Sequence, residues 1–242
     1  NPVIRGTAQT SDVFFQSREA INSFYNACPD IVQNTMDEFY KLTGRPYKLF
    51  DYVGHPEAEH LIISMASSTE TTEETIKHLV IKGKKVGLVK VRLFRPFSIK
   101  HFLKALPTTL KSIAVLDRTK EPGASGEPLY LDVVQSLSEA FQNKEIKTLP
   151  RIVGGRYGLS SKEFTPAMVK AIFKNLQDPK PKNNFTIGIY DNVTNLSLSY
   201  NKNDELDTET YQAIFYQSKS DKNGLPKLIG NTKNKYVQSF TE

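Results

Sequence analysis

Residues 86–132 read VGLVKVRLFRPFSIKHFLKALPTTLKSIAVLDRTKEPGASGEPLYLD and hold a strand, a helix, a second strand, a glycine-bearing turn and the start of a second helix in one run. Val86 to Leu93 is a valine-rich apolar stretch of strand length. It stops at Arg95-Pro96, where proline lacks the N–H that a ladder needs and restricts the residue before it. Ser98 is then a natural N-cap, and Ile99, Phe102, Leu103 and Leu106 recur at helical spacing. Ile113 to Leu116 reads as a buried strand that leads into the turn Lys120 to Pro128. Pro128 suits the first turn of a helix in which Tyr130, Val133, Val134, Leu137 and Phe141 share a face. Such alternation with short links is the pattern of a parallel sheet covered by helices.

The same texture extends outward. Toward the N-terminus, Leu61 to Met65 is a short apolar run bounded by a Ser/Thr cluster. Thr71 and Glu74 predict a capping box before a helix carrying Ile76, Leu79 and Val80, with Gly83 at its C-terminal end. Toward the C-terminus, Arg151 to Gly155 is a fourth strand, and Thr165-Pro166 opens a helix with Val169, Ile172, Phe173 and Leu176 on one side. Phe185 to Ile189 is a fifth strand. The expected fold is α/β: an open, mainly parallel five-stranded sheet with helices on both faces, spanning residues 47–200. Residues 1–46 read as an arm, polar and irregular to about Asp30, followed by a helix bearing Val32, Met36, Phe39 and Tyr40. NKNDELDTET after Leu198 reads as a linker, so residues 201–242 are a linker plus a partial segment with a candidate strand at Tyr211 to Tyr216.

Composition narrows the function classes. With 242 residues, 38% of them hydrophobic, the chain can build one substantial core. No apolar run approaches the ~20 residues that span a bilayer, and NPVIRGTAQT lacks the layout of a secretory signal, so no membrane association is expected. The single cysteine, Cys28, excludes an internal disulfide and cannot alone hold zinc or an iron–sulfur cluster, which takes about four thiolates. The 32 basic residues are interleaved with 26 acidic ones, so the net charge of +6 reads as a mixed solvated surface and not as a nucleic-acid footprint. His55, His60, His78 and His101 are dispersed, and neither H-E-x-x-H nor G-x-S-x-G occurs. No catalytic or metal-binding residue is assigned.

Three places invite attention. In KEPGASGEP, Gly123 and Gly126 lie between a strand end and a helix start, where an anion can bind. The phosphate-loop spacings are missing, so an ordinary tight turn is the favoured reading. Arg118 with Glu121, and Arg92 with Arg95, sit at strand ends, placed for ion pairs within the domain or with a neighbouring one. GGRYG, residues 154–158, sets Arg156 and Tyr157 among three glycines, where the backbone is free to approach another surface.

Beyond these physical readings, four blocks in one order resemble the pyruvate:ferredoxin (flavodoxin) oxidoreductase family, which includes the eukaryotic pyruvate:NADP⁺ enzymes. They are the 86–132 stretch, YKLFDYVGHPEAE (47–59), GGRYGLSSKEFTPAMVKAIF (154–173) and NNFTIGIYDNVTNLSL (183–198). The resemblance implies a fragment: the end of a first domain, all of a second that is transketolase C-terminal-like, and the opening of a third. It implies a whole enzyme that converts pyruvate and CoA to acetyl-CoA and CO₂ with thiamine diphosphate. Electrons would leave through iron–sulfur clusters to ferredoxin, flavodoxin or a fused NADP reductase. Partners would be the other domains of the same polypeptide and a second subunit, in the cytoplasm or an anaerobic organelle matrix. None of these cofactors is expected on this segment alone.

In the family, NPxxRGTAQ closes the first domain, which puts Arg5 to Gln9 against a partner domain. Arg5, Arg118, Glu121, Gly126, Arg156 and Tyr157 are therefore interface candidates. The third domain of the family carries a CoA-associated loop resembling FWGLGADGTVGANK, where this chain has FYQSKSDKNGLPKLIGN. Phe215 and Asp221 keep the frame, whereas Gln217, Lys219 and Lys222 replace glycines, so Ser220 and Asp221 are weak carry-overs for CoA contact. The alternative is a stand-alone, non-catalytic binding or assembly module with the same fold.

Overall fold

Short runs of Val, Ile and Leu that are apolar on both sides belong in the middle of a sheet covered on both faces. The computed structural model describes residues 8–206 and the backbone of 214–217 and 238–241, and it places those runs in this way. Six strands form one sheet: β1 (Phe50–Gly54), β2 (His60–Met65), β3 (Val86–Val91), β4 (Ser112–Asp117), β5 (Arg151–Arg156) and β6 (Phe185–Thr186). Their spatial order is β1-β3-β2-β4-β5-β6, with every neighbouring pair parallel except β1 and β3.

Among the described residues six α-helices accompany the sheet: α1 (Ser11–Ala20), α2 (Asn22–Thr43), α3 (Ser68–Ile81), α4 (Ile99–Lys104), α5 (Pro128–Gln142) and α6 (Pro166–Gln177). The chain crosses from β2 to β3 over α3 and from β4 to β5 over α5, in opposite directions along the sheet. Right-handed crossovers therefore put these two helices on opposite faces. One core layer joins Ile62, Leu88, Ala114 and Val153 to Ile76 of α3 and to Val169, Ile172 and Leu176 of α6. The other joins Leu61, Ile63, Val89 and Val115 to Phe102 of α4 and to Leu129, Val133 and Leu137 of α5, with Val32 and Met36 of α2 at its margin.

The sheet has one strand more than the five expected. β1 is an antiparallel edge strand in YKLFDYVGH, with Phe50 opposite Val91 and Gly54 opposite Gly87. Its entry is held by a side chain. Gln33 Nε2 donates to the Tyr47 carbonyl, and Gln33 Oε1 accepts from the Leu49 N–H, each at 3.1 Å. One amide thus stands in for the strand neighbour that an edge lacks.

The helices differ from expectation at their ends. The N-terminal arm is helical from Ser11 and not only beyond Asp30, and α2 stops at Gly44, whose φ of 71° ends it left-handed. α3 begins at Ser68, so Thr71 lies inside it and the expected capping box is not its start. Its buried face is made largely of hydroxyl residues: Thr72 and Thr75 donate to the carbonyls of Ser68 and Thr71 at 2.8 Å. On α5, Leu129, Val133, Leu137 and Ala140 form the buried stripe, while Phe141 turns outward. β6 ends at Thr186 and not at Ile189, because Gly188 takes φ 91° and residues 196–198 return alongside Thr186.

The chain divides into two units, Asn1–Asp204 and Glu205–Glu242. In the second, the described backbone is a parallel pair, β7 (Ile214–Gln217) with β8 (Gln238–Thr241). The candidate strand at Tyr211 to Tyr216 overlaps β7.

A lysine is buried under α3. Lys90 of β3 is 7% exposed, and its ammonium pairs with Glu70 at 3.1 Å and with Glu73. Glu73 also accepts from Lys77 at 2.8 Å. Burial pushes the Glu73 carboxyl up, but hydrogen bonds from Lys77 and Lys90 outweigh it and hold the group below its ordinary value. A depressed acid contributes stability above its unfolded pKa and loses it as pH falls through the folded one. Glu73→Gln should therefore lower the urea midpoint at neutral pH, and the gap from wild type should close as pH falls below about 4. A gap that is constant from neutral to acid pH would refute the network's electrostatic role.

The glycines of β5 make room for rings. A Cβ on Gly155 would stand 2.2 Å from a ring carbon of the fully buried Phe185. Gly155→Ala is expected to cost about 1–3 kcal/mol of stability through overpacking, read as a lower midpoint in urea denaturation.

Candidate functional site at the C-terminal edge of the sheet

In open α/β sheets ligands sit beyond the carboxyl ends of the strands, where the strand order reverses. Here that point lies between β2 and β4. The edge around it is built from three segments: Met65 to Ser68 after β2, Asp117 to Glu127 after β4, and Arg156 to Gly158 after β5.

Asp117 ends β4 and is 1% exposed. Its Oδ1 accepts from the Leu129 N–H at 3.0 Å and its Oδ2 from the Tyr130 N–H at 3.1 Å. Both donors belong to the first turn of α5, so the place where an external anion would bind is filled by the chain's own carboxylate. Burial pushes the Asp117 carboxyl up, against the pull of these two N–H groups.

A second buried carboxylate completes the closure. Glu127 Oε2 accepts from the Glu121 N–H at 2.7 Å, and Oε1 meets Arg156 Nη1 at 3.3 Å and Lys120 Nζ at 3.7 Å. Arg156 Nη2 also donates to the Asn184 carbonyl at 2.7 Å. One guanidinium therefore ties β5 to the turn before α5 and to the segment entering β6.

The remaining candidates are also engaged within the domain. Arg118 Nε donates to the Gly158 carbonyl at 2.7 Å. The Tyr157 hydroxyl donates to Ser68 Oγ at 2.7 Å, and its ring packs on Phe164 with centroids 4.8 Å apart. Burial pushes the Tyr157 hydroxyl up. A Cβ on Gly126 would stand 2.4 Å from the Tyr130 ring, and one on Gly154 would stand 3.1 Å from the same ring. The surfaces that these glycines let approach are thus the domain's own side chains.

Arg118, Glu121, Gly126, Arg156 and Tyr157, chosen from sequence, are brought together on this edge. Gly126, Arg156 and Tyr157 are consumed by internal packing, while Arg118, Lys120 and Glu121 stay at the surface. Arg5, Ser220 and Asp221 lie outside the described residues. Reading by motif passed over Asp117 and Glu127, which the turn's charge pattern alone does not single out. It also passed over the pair His60 Nδ1 to Ser112 Oγ, 2.8 Å apart at the opposite end of the sheet. Burial pushes His60 down, and Ser112 is 4% exposed, so this pair ties two strands and presents no nucleophile to a substrate. Among the described residues no group of three or more His, Cys, Asp or Glu is placed to hold a metal ion, and no helix is long and apolar enough to cross a membrane.

Residues 58–161 match the model of a family described as pyruvate:ferredoxin oxidoreductase core domain II. They belong to that family. The whole chain is 54% identical to the probable pyruvate-flavodoxin oxidoreductase of Escherichia coli (strain K12), over 99% of this chain and 21% of that protein. It is 53% identical to the pyruvate:ferredoxin oxidoreductase of Moorella thermoacetica, over 99% and 20% respectively. It is 48% identical to the pyruvate dehydrogenase [NADP(+)] of Cryptosporidium parvum, over 99% and 13%. The chain thus spans about a fifth of the length of the first two, and less of the third. A solved structure of 2-oxoglutarate:ferredoxin oxidoreductase from Magnetococcus marinus, with 2-oxoglutarate, coenzyme A and succinyl-CoA bound, is 21% identical with a TM-score of 0.37, covering 54% of this chain and 20% of that one.

The core-domain edge makes its own test. Removing one partner of a buried ion pair leaves the other uncompensated, so Glu127→Ala should cost about 3 kcal/mol of stability. Hydrogen exchange at the Glu121 amide should accelerate in the same variant, since that N–H loses its acceptor. Unchanged exchange would show that the turn holds without Glu127.

Proposed function

We propose that this chain is the second core domain of a pyruvate oxidoreductase and that its work there is architectural. The parent enzyme would convert pyruvate and CoA to acetyl-CoA and CO₂, passing the electron pair to ferredoxin, flavodoxin or NADP. The supporting observation is identity of about half along 99% of the chain to a probable pyruvate-flavodoxin oxidoreductase and a pyruvate:ferredoxin oxidoreductase that are about five times longer. The thiamine diphosphate and iron–sulfur chemistry of such an enzyme does not fit the residues described here. Cys28 is the only thiolate source in the chain, whereas a cluster takes about four. The α5 N-terminus, where a diphosphate would be received, already holds Asp117.

What these residues supply is a stiff body with a closed edge. Asp117, Glu127 and Arg156 fix the turns at the carboxyl ends of β4 and β5, leaving Arg118, Lys120 and Glu121 outward to meet a sister domain. Rigidity of this kind matters to a multidomain enzyme because misplacing reacting groups by ~1 Å can cost ~100-fold in rate. Contact of Ser220 and Asp221 with CoA, a homodimeric state and a cytoplasmic or organellar site belong to the same proposal.

The test is the size and activity of the native polypeptide. An antibody against this chain should detect a band several times 27.3 kDa in source extract. That polypeptide, purified, should reduce a viologen dye in a pyruvate- and CoA-dependent way, while the 242-residue chain alone does not. A band near 27.3 kDa would overturn the reading in favour of a stand-alone module.

A further inference from the structure

Helix α1 and the first half of α2 are a stretch that this domain leaves almost wholly unburied. No residue of α1 is buried, and Pro29 alone is buried in α2. Yet this stretch carries Phe14, Phe15, Phe24 and Tyr25, which are 57%, 68%, 76% and 58% exposed. Scattered surface aliphatics need no explanation, but four large aromatic side chains within twelve positions do. Aromatic residues are enriched at the centres of interfaces. The second half of α2 differs, since Val32 and Met36 pack on the core and Gln33 grips the entry to β1.

α1 runs into α2 through Ile21, whose φ of −67° and ψ of −26° are helical, so the two make one helical run anchored where Val32 and Met36 meet the core. The charges nearby are mixed: Asp12, Arg18 and Glu19 include both signs, so the face selects an apolar partner and not an acidic or basic one.

We infer that the exposed aromatic surface of α1 and the start of α2 is the seat of another domain of the same polypeptide. This rests on the reading of the chain as one domain of a longer oxidoreductase. In the relatives from E. coli and M. thermoacetica about four fifths of the polypeptide lies outside the matched region, so covalently attached surface is abundant. A domain tethered in the same chain meets this surface at an effective concentration of about millimolar.

The experiment places the photo-cross-linker p-benzoylphenylalanine at Phe15, Phe24 or Ile81 of the full-length polypeptide. Ile81, 86% exposed at the end of α3, is the control. Irradiation at Phe15 and Phe24 should give products of unchanged mass on a denaturing gel, with cross-linked peptides mapping outside residues 1–242, and Ile81 should give few. Products of doubled mass would assign the face to a second copy and overturn the proposal. So would cross-links confined to residues 1–242, or a yield no higher than at Ile81. The same gel, run before irradiation, reports the native size. A polypeptide of this chain's length would overturn the parent reading, whereas a long one with the wrong cross-links overturns only the docking face.

Discussion

A parallel sheet needs cover on both faces, because its strands are apolar on both sides and its connections must return over it. That requirement organises this molecule. Leu61 and Ile63 face one way from β2 and Ile62 faces the other, so helices must come to both. Right-handed crossovers place α3 on one face and α4 and α5 on the other, and α6 packs beside α3. The strand order reverses at β2 and β4 as a result, and the carboxyl ends of the strands meet at one edge. Everything distinctive about the candidate site follows from how that edge is finished.

It is finished from within. Charges buried at a strand end are costly unless paired and hydrogen-bonded. Asp117 meets that demand with two backbone N–H groups of α5, and Glu127 meets it with one backbone N–H, Arg156 and Lys120. The geometry that elsewhere receives a phosphate is here a set of internal ties, and Gly126 and Gly154 accommodate the ring of Tyr130 in place of a ligand. A domain closed in this way offers rigidity and outward-facing charges more readily than chemistry. A run of exposed aromatic side chains, Phe14, Phe15, Phe24 and Tyr25, lies elsewhere, on α1 and the start of α2.

Much of the fold was legible in the residues. The valine- and isoleucine-rich runs, Pro128 and Pro166 at helix starts, and Gly83 past a helix end each act within a few residues, so they can be read without knowing what packs on them. The resemblance of four sequence blocks also pointed to the family that the comparisons identify. What was not legible depends on partners distant in sequence. β1 carries no such local signal, because an antiparallel edge strand of mixed polarity declares itself only beside β3. The start of α3 was passed over because its buried face is Ser68, Thr69, Thr72 and Thr75, whose hydroxyls satisfy themselves on the preceding turn and leave no hydrophobic signature. α1 lacks a core-facing apolar stripe because its aromatic residues have no place in this domain's core.

The candidate residues divide along the same line. That Arg118, Glu121, Gly126, Arg156 and Tyr157 lie at strand ends follows from local pattern, and the sequence by itself determined it. Whether each faces outward or inward was decided only by the tertiary structure. Arg156 is spent on Glu127, 29 positions away, and Tyr157 on Ser68, 89 positions away. The physical reason is that strand and helix propensities are local, whereas the burial of a charge is settled by whichever counter-charge the fold brings within hydrogen-bonding distance.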